Sequence, residues 1–403
     1  MRKTLVVLFL IMIVLPMTAD KGTFDSLWKK VEEAGQKDLP RTQYDVLQQI
    51  VAKAQKEKAY GQLLKAELKG ASVMASVAPD SLLPAVERIE QRYQQTQDET
   101  LQTVYRAVLN RIYRENRPLE KKEIPFELSQ SLCSRLAAVK AAAYKPFIQK
   151  GIDSRIFDDD LLSVIAYETR QYQPASDYYL LSGNRRAACL TALEALRENY
   201  HQMDADTKVM GRKAYLHSLD SLIQKYDDLD VSGEVAIEYY EQSSFESIAD
   251  RMTVLRGFIN RWGDRWKRIN QLRNTEQQLT LPMFRMEIPN KLMRPDQPQV
   301  VRLAELRNLS SVTLKVYKAN VKGDVRLNPS NEKDYQRLKP SLQLLPELTQ
   351  TRTFAVHPDY EVFEDSLVLG SLPHGVYMIE ASSAPGTQVC RSLYFVSDLF
   401  VMS

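Results

Sequence analysis

The sequence predicts a multidomain chain, α then β: an irregular α-helical hairpin array, solenoid-like, followed by an antiparallel β-sandwich. Three observations predict it. Apolar residues recur at helical spacing from Phe24 to about Leu279. Prolines then cluster at Pro282, Pro289, Pro295 and Pro298. Beyond them the apolar period falls to near two, the signature of half-buried strands.

The chain starts Met1-Arg2-Lys3, followed by an apolar run from Leu5 to Leu15 and then Pro16-Met17-Thr18-Ala19-Asp20. A basic start, a short apolar core and a small residue at the break describe a secretory signal peptide, with cleavage expected after Ala19. The run is shorter than the ~20 residues a membrane-crossing helix needs. No Cys stands near the break, so no lipoprotein anchor is indicated. The expected location is exported, in the periplasm or at the cell surface, with no transmembrane segment in the mature chain.

Residues 20–280 are read as one all-α domain. Tyr44, Leu47, Ile50, Val51 and Ala54 share a helix face, as do Leu63, Leu64, Ala66 and Leu68. Further helices are expected over Ser81–Gln94, Asp98–Glu115, Phe126–Lys145, Asp158–Thr169, Ala175–Tyr200, Asp204–Asp227 and Phe245–Gln277. Gly61, Gly70, Pro79, Pro84, Pro118 and Pro125 punctuate them. The short links make antiparallel neighbours. No period near 34 residues appears, so a regular tetratricopeptide array is not predicted.

Residues 281–396 are read as the sandwich. Strands are expected at Gln299–Leu306, Val312–Lys318, Thr351–His357, Tyr360–Leu369, Gly375–Ala381 and Val389–Val396. The polar, Leu- and Pro-rich stretch Asn328–Gln350 reads as a long loop with one helical turn. The run from Leu393 to Met402 is strand-like to the last residues, and an unpaired strand at a domain end invites association. Residues 397–403 are therefore expected to begin a following domain, the chain being the front piece of a longer protein.

The 403 residues carry 54 basic and 51 acidic side chains. No basic block stands out, so nucleic acid is not an expected partner. Three cysteines, Cys133, Cys189 and Cys390, are too few for a disulfide scaffold. Cys133 and Cys189 either pair, if their helices touch, or pack as small buried thiols.

No catalytic, cofactor or metal residue is assigned. His201, His217, His357 and His374 show no metal-binding spacing. No G-x-S-x-G elbow, P-loop or G-x-G-x-x-G exists. Asp228-Leu229-Asp230-Val231-Ser232-Gly233 opens like a calcium loop, but the twelfth position is Tyr239 and lacks the required acid. The other reading is a turn with Ser232 capping the next helix. Arg185 and Arg186 either face an anionic partner or neutralise a helix end. Trp262 and Trp266 share a helical face with Phe258 and suit a core or a domain seam.

Val301-Arg302-Leu303-Ala304-Glu305-Leu306-Arg307-Asn308-Leu309 running into Val312–Lys318, and the stretch Tyr360 to Ser382 with its Leu-Pro-x-Gly-x-Tyr turn, together resemble the first macroglobulin-like domain of bacterial alpha-2-macroglobulin family proteins, and Ser392–Leu399 resembles the lead-in to the second such domain. The helical region resembles the N-terminal extension of the Bacteroidetes members. The resemblance covers nearly the whole mature chain. It implies an exported endopeptidase inhibitor that collapses on a protease after a bait region is cut, in many members with a Cys-Gly-Glu-Gln type thioester. No cysteine here sits in such a motif, so the resemblance implies a non-enzymatic scaffold whose partners are target proteases, reached through the full-length protein. Two other readings stay open. One is a helical-array adaptor for an envelope protein, peptide or glycan, with the sandwich as spacer. The other is a hydrolase, which lacks a visible nucleophile–base pair.

Overall fold

The computed structural model describes residues 23–115, 123–295, 297–321, 328–355, 357, 360–383 and 388–398. The expected export signal, residues 1–19, lies outside them, as does most of 397–403. The chain divides into two compact units, 1–242 and 243–403.

The first unit is all helix: α1 (Thr23–Gln36), α2 (Pro40–Glu57), α3 (Tyr60–Val77), α4 (Leu82–Gln95), α5 (Glu99–Glu115), α6 (Gln130–Ala137), α7 (Leu161–Thr169), α8 (Tyr172–Leu181), α9 (Arg185–Gln202), α10 (Ala205–Lys225) and α11 (Ser232–Gln242). Sequential helices pack as hairpins, α1 on α2, α2 on α3, α8 on α9 and α10 on α11. The periodic residues read from the sequence form the first core, with Leu47, Ile50, Val51, Ala54 and Leu63 all buried. Caps set the helix starts. Ser129, Asp160, Asn184 and Asp204 each accept a first-turn backbone N–H.

Two long helices expected from periodicity are broken. Ala175–Tyr200 splits at Gly183, whose φ of +88° suits a helix C-terminus best met by glycine. Phe126–Lys145 is α-helical only over α6, with a short 3-10 turn at Ala141–Tyr144. Its first residues run extended, because side chains elsewhere take up their backbone groups.

The second unit opens with α12 (Ile248–Trp262) and α13 (Asn270–Thr280), which replace the single helix expected over 245–277. The strands are β1 (Met283–Glu287), β2 (Leu292–Met293), β3 (Gln299–Arg307), β4 (Ser311–Ala319), β5 (Leu342–Thr353), β6 (Phe363–Leu369), β7 (Gly375–Ser383) and β8 (Val389–Val396), with α14 (Glu332–Leu338) between β4 and β5. They form a three-stranded sheet, β1-β3-β6, and a five-stranded sheet, β2-β8-β7-β4-β5. Every pairing is antiparallel except the short β2–β8 contact. Alternate residues of both sheets meet in one core: Phe284, Val301, Leu303 and Leu369 from the first, Val312, Leu314, Val316, Ile379 and Tyr394 from the second.

The change from helix to strand falls near 281, but the division between units falls at 242. Helices α12 and α13 belong with the strands. Asn308, just past β3, and Arg307, its last residue, donate to the carbonyls of Leu279 and Gln278 at the end of α13, and Arg256 of α12 bonds the Tyr360 hydroxyl. The first two contacts satisfy carbonyls that a helix end leaves open.

The Asn328–Gln350 stretch is more ordered than a loop. α14 lies on the outer face of the five-stranded sheet, where Leu338 and Tyr335 meet Met378 and Leu393. Most of the stretch after it belongs to β5. This edge strand bulges where Val316 pairs with Leu345 and Leu314 with Gln350, and Pro346 sits in the bulge. Bulges and proline are the usual means of blunting an edge. β8 is flanked by β7 along its length and by β2 at Phe395 and Val396.

Candidate functional site

The Leu372-Pro373-His374-Gly375-Val376-Tyr377 turn is held from within. Tyr377 is buried, and its hydroxyl donates to the Pro373 carbonyl at 2.8 Å. A tyrosine that reaches back a few residues in this way fixes the corner at a strand start in Greek-key sandwiches. The tyrosine of the turn is therefore a structural anchor, and burial raises its hydroxyl above the ordinary pKa.

In the helical unit the polar chemistry gathers between helices. Glu67 of α3, 7% exposed, meets Arg92 of α4 in an ion pair, and accepts the Tyr105 hydroxyl of α5 at 2.9 Å. Glu168 of α7 takes Arg111 of α5 at 3.2 Å and Arg114 of the same helix at 3.7 Å. Glu238 of α11 takes the Arg197 Nε of α9 at 2.9 Å, the Tyr215 hydroxyl of α10 at 3.1 Å and Gln242 Nε2 at 2.9 Å. Each carboxylate thus ties two or three helices. Burial lifts the Glu67 carboxyl to about 7 against the pull of Arg92, and burial also raises Glu168. The Tyr105 and Tyr215 hydroxyls are raised by burial and then by their carboxylate partners.

Beside the Glu168 tie runs the extended segment Glu123–Leu128. Asn110 Nδ2 donates to the Ile124 carbonyl and its Oδ1 accepts the Ile124 N–H, both at 2.7 Å. Gln171 repeats the arrangement, donating to the Phe126 carbonyl and accepting the Leu128 N–H. A shallow cavity of about 240 Å³ lies against the segment, walled by Asn110, Arg114, Thr169 and Gln171. Two carboxamides here do what a neighbouring strand does: they read main chain in extended form. Sequence reasoning missed this clamp, because a lone Asn in α5 and a lone Gln after α7 carry no local signal.

The residues singled out from sequence are placed as follows. Arg185 and Arg186 are exposed, but each already holds an aspartate. Arg185 grips both carboxylate oxygens of Asp228, at 2.6 and 2.9 Å, and Arg186 grips both of Asp230, at 3.0 and 2.8 Å. The two acids that opened the calcium-like loop therefore already hold cations, in the bidentate geometry that suits guanidinium. Ser232 is the first residue of α11, fully buried, and its hydroxyl finds no partner, so it is not the cap of that helix. Among the described residues no group of three or more His, Cys, Asp or Glu is placed to hold a metal ion.

Cys133 and Cys189 are buried free thiols, raised by burial to about 11 and about 12. Cys390 is half-buried and also free. His374 pairs with Asp398 on an exposed surface, and the His357 ring stacks on Phe363 at 3.7 Å. Trp262 and Trp266 are buried in the second unit, with Arg261 and Arg268 over their rings. Among the described residues no helix is long and apolar enough to cross a membrane.

No protein-family model matches the chain, and no curated protein matches it.

Proposed function

We propose that the chain is a non-catalytic scaffold portion of an exported alpha-2-macroglobulin-like endopeptidase inhibitor, working in the periplasm or at the cell surface. The bait and thioester elements of such a trap would lie outside this chain. The observation that carries the reading is the two-layer sandwich built on the residues of the resemblance, with Tyr377 locking the Leu-Pro-x-Gly-x-Tyr corner. A stiff sandwich suits relaying a shape change through packed faces, because interiors are close-packed and transmit strain.

The test is direct. A panel of endopeptidases is mixed with the exported protein that carries this chain, and separately with the chain alone. The reading expects a size-shifted protease complex with the former and neither inhibition nor complex with the latter. Ordinary digestion in both mixtures would remove the inhibitor reading.

A second reading has its own observation. The Asn110 and Gln171 clamp shows that the helical unit can hold an extended backbone without reading its side chains, which is how a peptide-binding adaptor works. An extended peptide from an envelope protein, bound by the helical unit and lost on Asn110→Ala, would favour this reading.

A further inference from the structure

A single buried carboxylate joins three consecutive helices at the α3–α4–α5 junction. Glu67 leaves α3 and is almost wholly removed from water. From α4 the group facing it is Arg92, whose side chain keeps 29% exposure. From α5 it is the buried Tyr105 hydroxyl. On the other side α3 packs on α2 through Leu47, Ile50, Val51 and Ala54, and the charged or hydrogen-bonding groups that act on Glu67 are Arg92 and Tyr105. Two other polar groups of α4 face α5. Glu90 accepts the Tyr113 hydroxyl, and Tyr93 accepts from Arg106, so these two hold α4 to α5 whatever Glu67 does. Arg92 is the ion-paired link from α4 back to α3.

Two opposing effects set the state of this carboxyl group. The Arg92 cation beside the carboxylate favours its ionised form, and removal from water favours its neutral form. Burial has the upper hand and lifts the group to about 7.

We propose that Glu67, Arg92 and Tyr105 form a proton-operated latch in the helical unit. With Glu67 ionised, Arg92 is drawn inward and ties α4 to α3. When Glu67 takes a proton from solvent, Arg92 turns to water through its exposed side and that tie is released. The Tyr105 hydroxyl still donates to the neutral acid, so α3 and α5 stay joined. The proton is bound more tightly in the folded chain than in the unfolded one. Its stabilising contribution is therefore fully present below the ordinary glutamate range and is lost as pH rises through about 7. The latch thus exchanges stability for a tied α4 as the medium turns alkaline.

A double-mutant cycle on the full chain, read by urea unfolding at pH 5 and pH 8, tests this. The variants are Glu67→Gln, Arg92→Gln and the pair. The latch expects a coupling between the two positions of about fivefold or more in the unfolding equilibrium at pH 8, falling below about twofold at pH 5. Equal coupling at both pH values, or none at pH 8, overturns it. If Glu67→Gln does not fold, Arg92→Gln against the wild type gives the same reading. Loss at pH 8 with parity at pH 5 supports the latch, and equal loss at both overturns it.

Discussion

Gly61 is the position where one added carbon should cost the most. It lies in the first turn of α3 and is buried. A Cβ placed there would stand 2.2 Å from the Lys145 carbonyl oxygen and 2.3 Å from the Tyr144 carbonyl carbon and oxygen. Carbon–oxygen contacts of the closest tolerated kind sit near 3.3 Å, so about 1 Å of backbone movement is required. The obstacle is main chain, and the turn that carries it is anchored by Tyr144, only 2% exposed. It cannot swing aside as a flexible side chain would. Overpacking of this kind costs about 3 kcal/mol. Alanine returns about 1 kcal/mol through its better helix propensity. The net expectation for Gly61→Ala is a loss of about 2 kcal/mol, or roughly 4–8 °C in the melting of a unit of this size. The control is Gly257→Ala in α12, where the added carbon meets nothing within 4 Å. That change should stabilise the second unit by about 0.5–1 kcal/mol. Differential scanning calorimetry of the two variants checks both. A Gly61→Ala protein as stable as the wild type would refute the close approach and the packing of α3 against the 144–145 turn.

Other outcomes follow from named contacts. Tyr377→Phe removes the hydroxyl that holds the Pro373 carbonyl and should lower the stability of the second unit by about 1 kcal/mol in urea unfolding, leaving the first unaffected. Asn110→Ala strands both backbone groups of Ile124. It should cost about 2–3 kcal/mol and speed amide hydrogen exchange at Ile124. Millimolar calcium should leave the melting temperature unchanged, because Asp228 and Asp230 are taken by Arg185 and Arg186; a rise would mean that the arginines yield to the ion. Alkylating reagents should leave Cys133 and Cys189 unmodified in the native protein and label both after denaturation, since burial keeps them as thiols.

Periodicity alone made the order of the architecture legible. The apolar faces of α2 and α3 and the alternation in β3, β4, β7 and β8 each bury one side of a regular element, so the pattern is written locally. The Asn328–Gln350 stretch reads as loop in sequence because its burying partners, Met378 and Leu393, lie on distant strands. Phe126 to Leu128 reads as helix by composition and is extended in fact, because the Gln171 side chain supplies its hydrogen bonds. Ser232 has the makings of a cap, but the helix begins on it and buries it.

The sequence by itself determined that helices come first and strands after, and which residues face each core. These follow from spacing within a few residues. Only the tertiary structure decided that α12 and α13 join the sandwich unit, that the acids of the calcium-like loop are held by arginines 43 and 44 residues away, and that Glu67 meets Arg92 and Tyr105. The physical reason is the same in each case. A charge or a carboxamide selects its partner by closeness in space after packing has formed, and nothing in its neighbours along the chain records that choice.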